Sequence, residues 1–234
     1  MKKSKVIFFN GGGTLFQLKG TNLPSYYSLL LSEITGKEIS PQLVFQAFLN
    51  ADNWSLSRTD FSLFSDLDQR KYQNIFYNSL GLKNRKIINR IEAQLADMLH
   101  FEYILEEGAK EVLIYLKENY RLGLISNWDE SLLEILDELD ILEFFESITY
   151  SEDVGINKPA EEIFRIAISD FSGIKARESV YIADDYKVDI VPAMMLKMNV
   201  IFFDKGPSGM HGRPFQPEVR CPRITHLKEI MNYF

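Results

Sequence analysis

Four polar clusters, three of them set directly after apolar runs, hold the residues of this chain that could do chemistry. Asn10-Gly11-Gly12-Gly13 follows Val6-Ile7-Phe8-Phe9, and Ser126-Asn127 follows Gly123-Leu124-Ile125. Lys158 precedes Pro159, and Asp184-Asp185 follows Val180-Tyr181-Ile182-Ala183. An apolar run that stops at polar residues and glycines reads as a buried parallel strand opening into a loop. In open α/β sheets ligands sit at that carboxyl edge. The chemistry expected is therefore that of a ligand site, with Asn10 where a reactive side chain would stand. Gly11 to Gly13 allow a tight turn and a close approach of backbone to ligand.

The intervening pattern has to bring these clusters together. After Leu15, helical spacing runs over 24–35, 42–50, 68–80 and 84–99, with no strand expected until about residue 121. Pro24 and Pro41 suit first-turn positions. Ile87, Ile88, Ile91, Leu95 and Met98 form one apolar face of the fourth segment. Residues 51–67, rich in aromatic and polar side chains, read as a helix-joining loop, with a lid over a ligand as the alternative. From about residue 106 helices and strands alternate. Helices 107–119, 129–139, 160–169 and 188–197 lead into strands 121–126, 147–150, 179–183 and 199–203. The Gly- and Pro-containing segment 205–223 is expected to be loop, and 226–233 a short helix. Such alternation implies a parallel sheet covered on both faces. The expected architecture is α/β: a Rossmann-like core of residues 1–15 and 104–234, and an inserted α-helical cap, 16–103, that closes over Asn10.

Composition narrows the function classes. The 234 residues are 46% hydrophobic and 25% charged, ordinary for a protein with a sizeable core. A formal net charge of -7 gives no general attraction to nucleic acid or anionic membrane. The single cysteine, Cys221, leaves no internal disulfide framework and reads as a structural thiol in a reducing compartment. Val6 to Phe9 is too short for a signal peptide, and no stretch approaches the roughly 20 apolar residues of a membrane span. A cytoplasmic location is expected. His100, His211 and His226 lack metal-ligand spacing and read as structural or exposed, and Trp128 reads as core. The Gly-rich loop lacks both the G-K-[ST] ending and the G-x-G-x-x-G spacing of nucleotide sites. Asp184-Asp185 also suits a helix N-cap, and Ser126-Asn127 the start of the helix after it.

Together the clusters resemble the motifs of the haloacid dehalogenase superfamily, in order and across nearly the whole chain. The family's first motif reads Asp-x-Asp-Gly-Thr-Leu in its phosphatases, against Asn10-Gly11-Gly12-Gly13-Thr14-Leu15 here. Ser126 matches the second motif, Lys158 the third, and Asp184 with Asp189 the fourth. The resemblance implies a phosphatase-type site for a small phosphorylated molecule. It assigns the nucleophile to position 10 and the general acid and base to position 12. Ser126, Asn127 and Gly11 would bind phosphoryl oxygens, and Lys158 would offset developing charge. Mg2+ would be held by residue 10, the carbonyl of residue 12, and Asp184 or Asp185.

The chain departs from that pattern at both reactive positions. Asn10 is a poor nucleophile and a neutral, weaker metal ligand, and Gly12 keeps only its carbonyl. Binding of magnesium and a phosphorylated ligand is expected, with hydrolysis weak or absent. A non-catalytic binding or regulatory protein is the alternative. Natural loss, an Asp-to-Asn alteration and deamidation at the Asn10-Gly11 step each remain open as accounts of position 10.

Overall fold

All four side chains of strand β1 (Val6–Phe9) are fully buried, because β1 lies at the middle of a sheet covered on both faces. This is seen in a computed structural model describing residues 5–58, 60–97, 102–213 and 220–234. Lys2, Lys3, Thr59, Met98 and His100 lie outside the described residues.

Five further strands extend the sheet: β4 (Arg121–Ser126), β5 (Ser147–Tyr150), β6 (Ser179–Ala183), β7 (Asn199–Phe203) and β8 (Arg223–Ile224). Their order is β5-β4-β1-β6-β7-β8, and every pairing is parallel. Strand side chains alternate between the faces. Ile7, Phe9, Leu122, Leu124, Val180 and Ile182 pack on one side with α5 (Ala109–Lys117) and α6 (Ser131–Glu138). Val6, Phe8, Ile125 and Tyr181 pack on the other with α8 (Glu161–Ser169) and α9 (Val191–Met195). The expected α/β fold with helices on both faces is the fold observed.

Between β1 and β4 the chain forms α1 (Leu23–Thr35), α2 (Pro41–Leu56), α3 (Asp66–Ser79) and α4 (Arg85–Asp97). These four helices enclose a separate apolar cluster containing Leu31, Val44, Ala47, Phe76 and Ile91. Asn22, Ser40 and Ser65 cap α1, α2 and α3, with Pro24 and Pro41 in the first turns, so local capping chemistry sets where each helix starts.

Three expectations need correction. Strands β2 (Phe16–Leu18) and β3 (Tyr103–Leu105) pair antiparallel ahead of residue 121; at three residues each they are too short to show periodicity. Helix α2 continues to Leu56, through residues read as loop, because Ala51 is fully buried against the helical core and Asp52 accepts a 2.7 Å hydrogen bond from the Tyr72 hydroxyl. The helix expected over 188–197 starts as a π-helical turn at Tyr186–Ile190 and becomes α-helical only at α9. The end of the chain is a 3-10 helix, Leu227–Tyr233.

Candidate active site

Because β1 pairs with both β4 and β6, the carboxyl ends of three strands deliver Asn10, Ser126 and Asp184 to one place. Lys158 arrives from the segment between α7 (Ser151–Val154) and α8. Asn127 fixes that segment: its Oδ1 accepts from the Lys158 amide at 2.7 Å, and its Nδ2 donates to the Lys158 carbonyl at 3.0 Å. Asn127 therefore spends its side chain on positioning Lys158.

Asn10 is the hub. Its Oδ1 accepts from Lys158 Nζ at 2.9 Å and from Ser126 Oγ at 3.4 Å. Its Nδ2 donates to the Gly12 carbonyl at 2.9 Å and to Asp184 Oδ1 at 3.0 Å. The reverse orientation would point Nδ2 at an ammonium and Oδ1 at two acceptors, so the partners fix the amide.

Lys158 and Asp189 form a buried ion pair 2.6 Å apart, each side chain 2% exposed. The Tyr181 hydroxyl donates to Asp189 Oδ1 at 2.7 Å. Burial, then the Asp189 charge, push the Tyr181 phenol well above its ordinary range. Burial raises the Asp189 carboxyl, and Lys158 offsets only part of that. Asp184 Oδ1 also accepts from Thr14 Oγ1 at 2.8 Å. Burial outweighs these hydrogen bonds and raises its carboxyl. Asp185 goes the other way: burial raises it, but the Arg213 guanidinium and the Val188 amide hold it below the ordinary range. Asp185 Oδ1 caps the turn after it, accepting from Lys187 N at 2.9 Å and Val188 N at 3.0 Å, so the N-cap reading of this pair is true of Asp185.

Sequence reasoning missed a loop. The segment after β7 returns across the strand ends, with Met210, His211 and Arg213 reaching the site. Leu23 N donates to the Met210 carbonyl at 3.0 Å and ties the loop to the start of α1. His211 Nε2 lies 4.0 Å from Asp184 Oδ2, a place its scattered spacing did not foretell. Burial, then Arg213, push His211 down to about 4, so it is neutral at neutral pH. Arg213 donates from Nη1 to Asp185 Oδ2, and its Nη2 is 3.9 Å from Asp52 on α2. The only sequence signal was a His and an Arg among glycines in a loop.

The space beside Gly12 is filled. A Cβ on Gly12 would lie 2.7 Å from Trp128 Cζ3 and 3.4 Å from Met210 Sδ. Trp128 is held by edge contacts with Phe16 and Tyr103 and by a 3.2 Å hydrogen bond from Nε1 to Ser131 Oγ. Packing against the core was expected of Trp128; covering Gly12 was not. Beside Gly11, a Cβ would come within 3.1 Å of the Phe16 ring and 3.3 Å of Ser126 Oγ. A cavity of about 540 Å3 opens next to the site, lined by Arg58, Phe61 and Phe64 from the helical side and by Asn127, Trp128 and Lys158.

Magnesium takes oxygen ligands in near-octahedral array, typically one or two carboxylates with several waters. Here a nitrogen donor, Asn10 Nδ2, lies between the Gly12 carbonyl and Asp184, and Asp185 is engaged by Arg213. Among the described residues, no group of three or more His, Cys, Asp or Glu side chains is placed to hold a metal. The residues in this arrangement do not fit the ion.

A parallel sheet with helices on both faces and its polar clusters gathered at the carboxyl edge is the architecture of a Rossmann-like α/β fold. The profile of the Haloacid dehalogenase-like hydrolase family matches residues 37–203, and the chain belongs to that family. A glyceraldehyde 3-phosphate phosphatase of Pyrococcus abyssi is 34% identical over 114 residues, covering 45% of each chain. Haloacid dehalogenase-like hydrolase domain-containing protein 3 of Bos taurus is 28% identical over 136 residues, 54% of this chain and 51% of that one. The matches thus span about half the length of these relatives. Among solved structures, the HAD-hydrolase YfnB of Bacillus subtilis, crystallised with magnesium, superposes with a TM-score of 0.70 at 16% identity, covering 98% of both chains. A HAD phosphatase from Thermococcus onnurineus gives 0.58 at 19% identity, covering 98% of this chain and 97% of that one. No helix among the described residues is long and apolar enough to cross a membrane.

Proposed function

We propose that this protein binds a small phosphorylated molecule at the carboxyl edge of the sheet, through a phosphatase-type site whose hydrolysis is weak or lost. The observation that carries this reading is Asn10. An amide fixed by four partners has no free carboxylate oxygen to attack phosphorus. Gly12 offers no side chain to move a proton, and Trp128 and Met210 take up the room that one would need.

In this reading the core comprises residues 1–15 and 104–234, and the helices within 16–103 act as a cap over the cavity. The phosphoryl group sits by Gly11, Ser126 and the Asn127 amide, with Lys158 behind Asn10. The organic part occupies the cavity beneath Arg58 and Phe64. The Pyrococcus relative named for glyceraldehyde 3-phosphate supports a small ester as the ligand class.

The test is hydrolysis of small phosphate esters, glyceraldehyde 3-phosphate among them, with magnesium present. The unaltered chain, its intact mass checked for deamidation, is compared with Asn10→Asp and with Asn10→Asp/Gly12→Asp/Trp128→Ala. Turnover is expected only after restoration. Equal turnover by the unaltered chain with position 10 still amide would overturn the reading.

A further inference from the structure

We propose that the site binds its phosphate group without a divalent cation, the Asn10 amide and the Arg213 guanidinium standing in for the ion. This rests on the phosphate-binding reading above and adds what neutralises the site.

Geometry supports the substitution. Asn10 Nδ2 bridges the Gly12 carbonyl and Asp184 Oδ1, at 2.9 and 3.0 Å, as a cation would bridge two oxygen ligands. Thr14 Oγ1 donates to the same Asp184 oxygen, and His211 faces the other one. Asp185 Oδ1 is spent on two backbone amides, and its Oδ2 accepts from Arg213. Asp184 Oδ1 and both oxygens of Asp185 are thus engaged by the protein's own donors.

Charge supports it as well. Buried carboxylates near a phosphate dianion require compensation. An amide in place of a carboxylate at position 10 removes one negative charge, and Arg213 brings one positive charge. Together they equal the charge of one divalent cation. Lys158 and Asp189 balance one another at 2.6 Å, and Arg213 offsets Asp185, a carboxylate that a cation would otherwise have to offset. Arg213 donates from Nη1 to Asp185, and its Nη2, 3.9 Å from Asp52 and so beyond hydrogen-bond reach of it, is the donor left for an oxyanion. With aspartate at position 10, an oxygen would face the Gly12 carbonyl and Asp184, and a cation would be needed between them.

Inorganic phosphate is the probe, titrated by calorimetry into the unaltered chain with EDTA and again with excess magnesium; magnesium is also titrated alone. The unaltered chain is expected to bind phosphate equally in both conditions and to give no magnesium isotherm. Arg213→Met should weaken phosphate by at least about tenfold. Asn10→Asp should bind magnesium and require it for phosphate. Phosphate binding by the unaltered chain only with magnesium, or a magnesium isotherm matching that of Asn10→Asp, overturns the inference and leaves the phosphate-binding reading standing. If the folded, unaltered chain binds no phosphate in either condition, both fail.

Discussion

The ring of Trp128 covers Gly12 so closely that a Cβ there would meet Cζ3 at 2.7 Å. Neither residue signals this by itself, yet together they decide whether position 12 can carry a side chain. Gly12→Asp should therefore cost about 1–3 kcal/mol by overpacking. Introduced into Trp128→Ala, the same change should cost much less. A double-mutant cycle by urea denaturation measures the coupling, and additive costs would refute the contact.

Lys158 and Asp189 should be energetically inseparable. Each is buried and hydrogen-bonded, so losing one leaves an uncompensated charge. Lys158→Met is expected to destabilise by about 3–5 kcal/mol, and Lys158→Met/Asp189→Leu by less than that single change. The midpoint of chemical denaturation distinguishes these outcomes.

Gly13 has φ +82°, and a Cβ on it would sit 2.7 Å from Cγ of Asp184. Gly13→Ala combines left-handed strain with a clash on the site carboxylate and should cost about 2 kcal/mol or more. Gly20, at φ +73° with open space around it, is the control, where alanine pays only the conformational term of about 1–2 kcal/mol. Equal losses in thermal denaturation would show that Asp184 does not press on Gly13.

Asp68 closes the capping box of α3, accepting from the Ser65 hydroxyl and amide. The Ser65 hydroxyl first, then its amide, lower the Asp68 carboxyl below 3.8. A carboxyl lowered in the folded state stabilises above its unfolded pKa and loses that effect as pH falls through the folded value. The wild-type chain should thus melt above Asp68→Asn at neutral pH, and the gap should close below pH 3.8. A gap independent of pH would mean that the charge is idle.

Strand positions and the polar residues that end them follow from local pattern. The runs at 121–126, 147–150, 179–183 and 199–203 form strands over those same residues; in β4, β6 and β7 burial on both faces keeps the run largely apolar to its end, while β5, at the sheet edge, is only partly buried. Asn10, Ser126 and Asp184 mark those ends, and the sheet register makes them neighbours. Local pattern did not extend to α2, where Asn50, Asp52 and Asn53 favour a loop by propensity but packing against α3 keeps the helix going. Nor did it reach the loop carrying Met210, His211 and Arg213, which has no period to read. Its place over Gly12, Asp184 and Asp185 is decided by contacts between residues far apart in the chain, such as Leu23 with Met210 and Arg213 with Asp185. The sequence by itself determined that polar groups would meet at a sheet edge. Only the tertiary structure decided which of them face one another, because a side chain's partner is set by the folded path of distant segments and not by its neighbours in sequence.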